Sequence, residues 1–339
     1  TYSKYTFDYP YHKAVSVDGQ MGMEYPQMAF NPGRPDLPDG GYSDRMKYRM
    51  IKVTIHEVGH NYFPMIINSD ERQWTWMDEG LNSYLEMLAE LDYDKDFPMR
   101  RGLPKNIVDY MNGDQSQIAP IMSKGDNLYS FGNNAYGKPA TALWILRETI
   151  MGKELFDHAF KTYAQRWMFK HPTPADFFRT MEDASGVDLD WFWRGWFYTT
   201  DVTDIGIKNV KKFYAESSEQ EKVKFIEDST EGLLFKEESA TKANKKFFYE
   251  ITFDKPGGLV MPIIVEFTYK DGTKSRKTYP AQIWRYNDTE ITKVINSNKE
   301  ISNITIDPDL ETADVDTSNN NWPKKKDSKF SKFKNKIKG

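Results

Sequence analysis

IHEVGHNYF, residues 55–63, sets two histidines four positions apart around a glutamate, in a chain that holds only 5 histidines. Met46, Met50 and Val53 precede it at helical spacing, Ser43 or Asp44 can cap the start, and Pro64 is expected to stop the helix near Phe63. Four residues make slightly more than one turn, so His56 and His60 project from one face with imidazoles close enough to chelate one ion. Glu57 is offset by a single residue, which leaves it beside such an ion rather than on it, where a carboxylate can take a proton from a water activated there. Two hydrogen-bonded core or surface histidines would show the same spacing. A third ligand decides between the readings.

Downstream stands WTWMDEGLNSYLEMLAEL, residues 74–91, whose Leu81, Leu85 and Leu88 mark an amphipathic helix with Asp78 and Glu79 in its first turn. Two antiparallel helices joined by residues 64–75 could bring Glu79 against the histidine pair, completing a His, His, Glu set with a fourth position open. Acidic residues at a helix start also complement the helix dipole, so the Asp-Glu pair alone carries no such message.

HEVGH, an eighteen-residue gap and then Glu79 inside WMDEG resembles the zinc signature of the alanyl-aminopeptidase and leukotriene-hydrolase family of gluzincin metallopeptidases. Two further stretches resemble the same family. YPYHKAVSVDGQMGMEYPQM, residues 9–28, is similar to its aromatic-proline segment followed by its Gly-x-Met-Glu-Asn motif, with Met21, Gly22, Met23 and Glu24 in place and Tyr25 where asparagine is usual. NNAYGKPATALWIL, residues 133–146, is similar to its Tyr-x-Lys-Gly-Ala segment, with Pro139 replacing the usual glycine.

The resemblance implies one zinc ion per chain on His56, His60 and Glu79, Glu57 as general base and Tyr136 as the phenol that donates to a developing oxyanion. It implies that Gly22, Met23 and Glu24 bind substrate, with Glu24 pairing with the free α-ammonium group. Asp78 is a candidate for orienting a ligating histidine. The implied activity is hydrolysis of the N-terminal bond of peptides with a free N-terminus. A thermolysin-like endopeptidase and a noncatalytic subunit that keeps the fold are the competing readings.

A hydrophobic fraction of 39% with 15% aromatic residues over 339 positions can bury a substantial core. Without cysteine there is no thiolate ligand, nucleophile or disulfide, so a transition metal falls to His, Asp or Glu. No apolar run approaches the roughly eighteen residues a bilayer requires, so no transmembrane segment is expected. No basic stripe with interleaved aromatics suggests nucleic acid outside PKKKDSKFSKFKNKIKG at residues 323–339.

The expected fold is α+β: a mostly helical thermolysin-like catalytic domain over residues 1–203, with part of a β-sheet at its start, then a small antiparallel β-sandwich over 205–322 and a lysine-rich, disordered tail over 323–339. FFYEITF, LVMPIIVEFTY and TKSRKTY supply the strand runs, with PGG and DG as turns. The charged stretch around residues 215–244 is expected to be loosely packed. Members of the resembled family usually carry a β domain ahead of the catalytic one, so an upstream or noncovalent N-terminal β domain is an expected partner.

Overall fold

The computed structural model describes residues 1–19, 21–217, 223–228 and 244–324. The lysine-rich tail from 325 on lies outside the described residues, as does most of the charged stretch expected to be loosely packed. The chain divides into two compact units: Thr1–Asp201 with Glu311–Ala313, and Val202–Leu310 with the described residues from Asp314 on.

The first unit is α-helical apart from one small sheet. A short helix α1 (Tyr2–Tyr5) leads into strands β1 (Val15–Asp18), β2 (Met23–Tyr25) and β3 (Met28–Asn31), ordered β1-β3-β2, with β1 parallel and β2 antiparallel to β3. Helices α2 (Asp44–Gly59), α3 (Thr75–Tyr93), α4 (Pro104–Met111), α5 (Lys138–Ile145), α6 (Lys153–Trp167), α7 (Pro174–Ser185) and α8 (Asp190–Tyr198) follow. None among the described residues is long and apolar enough to cross a membrane.

Helix α2 begins where Ser43 Oγ accepts the Met46 N–H at 3.1 Å, satisfying an orphan donor of the first turn. It ends at Gly59, earlier than Pro64 suggests. Proline has no N–H to offer the His60 carbonyl, and the Met65 N–H reaches that oxygen instead at 3.1 Å, which makes Asn61–Ile66 a wider turn. The backbone leaves helical geometry at Phe63, with φ −131° and ψ 114°. His60 therefore stands at the helix boundary yet stays in register with His56.

Helix α3 is buried over every residue from Thr75 to Leu88, so it runs through the interior of the unit rather than along its surface. Around its start Trp76 packs with Phe177, Phe178 and Phe197 at centroid distances of 5.7, 5.8 and 4.8 Å. Further along, Tyr84 meets Phe156 and Phe160 at 5.4 and 5.5 Å. Aromatic pairs of this kind add about 0.5–1.5 kcal/mol each beyond the area they bury.

Two glycines set how closely the neighbours approach α3. A Cβ at Gly59 would collide with the Tyr2 hydroxyl and with Asn82 Oδ1. In that space Tyr2 Oη donates to Asn82 Oδ1 at 2.7 Å and Asn82 Nδ2 donates to the His56 carbonyl at 2.8 Å, tying α1, α2 and α3 together. A Cβ at Gly80 would come within 2.6 Å of Pro139 Cγ, so the segment carrying Tyr136 presses against α3 one residue past Glu79.

The second unit holds two four-stranded antiparallel sheets. One is ordered β5-β4-β6-β9, from β4 (Gly206–Ser217), β5 (Val223–Asp228), β6 (Asn244–Asp254) and β9 (Glu290–Ser297). The other is β11-β10-β7-β8, from β7 (Ile263–Tyr269), β8 (Lys274–Tyr279), β10 (Ile301–Ile306) and β11 (Asn321–Trp322). The DG dipeptide closes the β7–β8 hairpin, with Gly272 at φ 83°. Tyr249 of β6 bridges the sheets, its hydroxyl accepting the Ile301 N–H at 2.7 Å and its ring 6.3 Å from that of Trp322. Residues 223–228, inside the stretch expected to be loosely packed, form β5, whose backbone pairs with β4.

Replacing Gly59 by alanine is expected to lower stability by about 1–3 kcal/mol, since the methyl has to displace both Tyr2 and Asn82. Urea unfolding followed by circular dichroism measures this, and an unchanged midpoint would show that the α1–α2–α3 junction yields without cost.

Candidate metal centre and active site

The end of α2, the start of α3 and the turn before α5 deliver the polar side chains to one place. His56 Nε2 and His60 Nε2 stand 3.0 Å apart, and Glu79 Oε2 lies 3.1 Å from the first and 3.4 Å from the second. Ligands held about 2.0–2.1 Å from a tetrahedral zinc ion stand about 3.3 Å from one another, so these three atoms already form one face of such a polyhedron. His56, His60 and Glu79 are all buried.

The outer nitrogens explain why the inner ones are free. His56 Nδ1 is 2.7 Å from Glu86 Oε2, and His60 Nδ1 is 2.8 Å from the Phe63 carbonyl oxygen, with Asp78 Oδ1 2.9 Å away. Each Nδ1 faces acceptors only, so it carries a proton, and Nε2 is the nitrogen turned toward Glu79 and open to a metal. Two imidazole nitrogens and a carboxylate oxygen in mutual contact favour positive charge between them, which a metal ion can supply. The donor set fits a zinc ion with a fourth position left over.

The electrostatics favour positive charge on both imidazoles beside an ionised Glu79. Burial lowers His56, but Glu86 and Glu79 outweigh it and push the imidazole up to about 9. Burial likewise opposes charge on His60, and Asp78 and Glu79 hold it well above its ordinary range. Burial would raise Glu79, yet hydrogen bonds from both imidazoles hold its carboxyl far below the usual carboxylate range.

Behind His56, Lys52 Nζ lies 2.5 Å from Glu86 Oε1 and 3.4 Å from Glu90 Oε1. One ammonium cannot balance two buried carboxylates. Against the penalty of burial, Lys52 and His56 hold Glu86 down to about 2, while burial and the Glu86 charge drive Glu90 up to about 8.

Around this centre, Glu57 has its carboxyl raised to about 7, chiefly by burial, with His56 and His60 opposing and Glu24 adding to the rise. Glu24, on β2, offers an oxygen within 4.8 Å of ligand atoms of both Glu57 and His60. Gly22 lies against Glu57, and a Cβ there would collide with the carboxylate. Met23 is 42% exposed and Tyr25 46%, so β2 presents its other side chains outward. Tyr136 Oη donates to Glu79 Oε1 at 2.5 Å, and its ring stacks 5.6 Å from that of His56. Burial first and Glu79 second raise the phenol pKa far above its ordinary value, so Tyr136 keeps its proton and acts as a donor.

Every residue singled out in the sequence thus lies in this region or on the strand beside it. What the sequence reading missed is the layer behind the histidines: Lys52, Glu86, Asn82 and the Phe63 carbonyl. A signal for Glu86 was present, since it lies seven positions after Glu79 and therefore on the same face of the helix. Lys52, four before His56, shares its helix face.

The family model described as the peptidase family M1 domain matches residues 1–196. Glutamyl aminopeptidase of Sus scrofa is 25% identical over 190 residues, covering 52% of this chain and 20% of that protein. Leucine aminopeptidase 2 of Emericella nidulans is 26% identical over 163 residues, covering 44% of this chain and 26% of that one. The chain thus spans only about a fifth to a quarter of these relatives. Among solved structures, aminopeptidase A of Legionella pneumophila in complex with aspartic acid superposes with a TM-score of 0.55 at 14% identity, covering 92% of this chain and 33% of that one, which speaks for the fold.

Glu86→Gln is expected to weaken zinc binding roughly tenfold to a hundredfold, because the amide no longer anchors the Nδ1 proton of His56 as a charged acceptor. Competition against a chromophoric chelator reads this directly. Affinity equal to that of the unaltered chain would mean the His56 ring is held by packing alone.

Proposed function

The chain belongs to peptidase family M1, and on that footing we propose that it is a zinc-dependent aminopeptidase, removing the N-terminal residue of peptides with a free α-amino group. The observation that carries the reading is the convergence of His56 Nε2, His60 Nε2 and Glu79 Oε2 within 3.4 Å, with Glu57, Glu24 and Tyr136 around them. His56, His60 and Glu79 would hold the zinc ion. When bound, it supplies Lewis acidity toward a water and toward the substrate carbonyl.

Glu24 receives the α-ammonium of the substrate, and its closeness to Glu57 and His60 sets the scissile bond one residue from the chain end. An internal peptide segment has no charge to offer there, so the carboxylate acts as an electrostatic ruler. Glu57 accepts a proton from the attacking water and hands it to the leaving amine. Gly22 keeps β2 close to that carboxylate, since any side chain would strike it.

As the carbonyl becomes tetrahedral, negative charge gathers on its oxygen, and the Tyr136 hydroxyl turns from Glu79 to donate to it. The raised pKa of the phenol suits this task, because the proton must be shared with the oxyanion without being lost to solvent. Asp78 and the Phe63 carbonyl keep the His60 ring in place, as Glu86 does for His56.

Hydrolysis of alanyl p-nitroanilide by the zinc-loaded chain, and its absence with the N-acetylated compound, is the expected result. Equal cleavage of both would point to an endopeptidase. Tyr136→Phe is expected to slow turnover on the order of a hundredfold to a thousandfold. Glu57→Gln should reduce it further while leaving bound zinc, measured by atomic absorption, at one equivalent, and an unchanged rate in that variant would remove Glu57 from its role.

A further inference from the structure

We propose that Arg101 receives a carboxylate carried by the peptide substrate, a proposal that rests on the aminopeptidase reading and adds a charge class to it. The guanidinium carbon lies 4.6 Å from the Tyr136 ring centroid, over the ring whose hydroxyl donates to Glu79. Nη2 is seated against Gly132, where a Cβ would come within 3.1 Å of it. Phenol and glycine backbone thus form two walls of a fitted seat beside the candidate active site.

Arg101 is half-buried, yet among the described residues no carboxylate stands within ion-pair distance of it and no acceptor takes a hydrogen bond from it. Arg147 shows what a satisfied guanidinium looks like here: it reaches Asp157 Oδ1 at 2.6 Å and Oδ2 at 2.8 Å, and Glu148 Oε1 at 2.6 Å. A partly desolvated guanidinium left without such partners is costly in a chain that holds 50 Asp and Glu residues.

Stacking on Tyr136 does not meet this demand. The ring offers the guanidinium no oxygen acceptor, so its five N–H donors still call for one. A planar fork with free donors is complementary to a carboxylate, which it grips through two parallel hydrogen bonds. Because the same phenol reaches Glu79, a group held at that fork is within a side chain's reach of the scissile carbonyl. Two parts of a peptide can supply it: the acidic side chain of an N-terminal residue, or the terminal carboxylate of a very short peptide.

The test compares the zinc-loaded chain with its Arg101→Gln variant on two matched pairs, glutamyl against glutaminyl p-nitroanilide and Ala-Ala against Ala-Ala amide. The ratio of kcat/KM for charged over neutral member is expected to fall roughly tenfold to a hundredfold in one pair. A fall in the first pair assigns the side-chain carboxylate, and a fall in the second assigns the terminal one. Arg101→Lys, which keeps charge but loses the fork, should recover only part of the ratio. Ratios that stay within about twofold of the unaltered chain in both pairs, whether or not absolute rates drop, overturn the proposal and leave Arg101 as a prop for Tyr136. Should the unaltered chain cleave none of the four compounds, the peptidase reading falls by itself, and calorimetric titration of the same pairs into both chains decides Arg101 by the same ratios.

Discussion

His56 Nε2, His60 Nε2 and Glu79 Oε2 face one another at 3.0 to 3.4 Å, and holding these three potential ligand atoms so close is the constraint around which the first unit is organised. Such an arrangement calls for positive charge, from a metal ion or from protons on the imidazoles, and the surrounding structure supplies it with carboxylates and holds it in place. It does so from behind: Glu86 fixes the His56 tautomer, the Phe63 carbonyl and Asp78 fix that of His60, and Tyr136 takes one of the lone pairs of Glu79. The glycine-tight junction of Tyr2, Gly59 and Asn82 sets the separation of the helices on which the ligands ride.

The cost appears along α3. A helix buried along most of its length ordinarily carries apolar side chains, yet this one keeps Asp78, Glu79, Glu86 and Glu90 inside. A single ammonium, Lys52, offsets part of that charge, and the remainder is relieved by protonation at Glu90 and by the imidazoles facing the centre. The aromatic packing of Trp76 and Tyr84 helps to bury the same helix. Low dielectric then strengthens each charge-assisted contact, which keeps the geometry rigid. Strand β2 completes the arrangement, since it carries Glu24 to the same place and is preceded by Gly22, which lies against Glu57 with no side chain between them.

Much of this was legible before any coordinates. Histidines four apart on a helix have to share a face, proline has to break the α-helical ladder, and DG between β-branched runs has to turn a hairpin. Each is a local rule, and they appear in turn at His56 and His60, at Pro64 and at Gly272. Where the local reading departs from the fold, the cause is a backbone pairing that the pattern of side chains does not announce. The helix gives way at Gly59 because Met65 replaces Pro64 as donor, and residues 223–228 become a strand because β4 lies alongside. FFYEITF and LVMPIIVEFTY, neighbours in sequence, end up in different sheets, a choice their alternation cannot encode.

By itself the sequence determined the α+β class, the helical phase of His56 and His60, and the motif order that ties Glu24, Glu57, Glu79 and Tyr136 to one family. These depend on short-range periodicity and spacing, which a chain carries in its residue order. Only the tertiary structure decided that Glu86 and Lys52 stand behind His56, that Gly59 and Gly80 are contact points, and that Arg101, 35 residues before Tyr136, packs over its ring. Those contacts join side chains far apart along the chain, and no local propensity distinguishes a paired arginine from one left waiting for a partner.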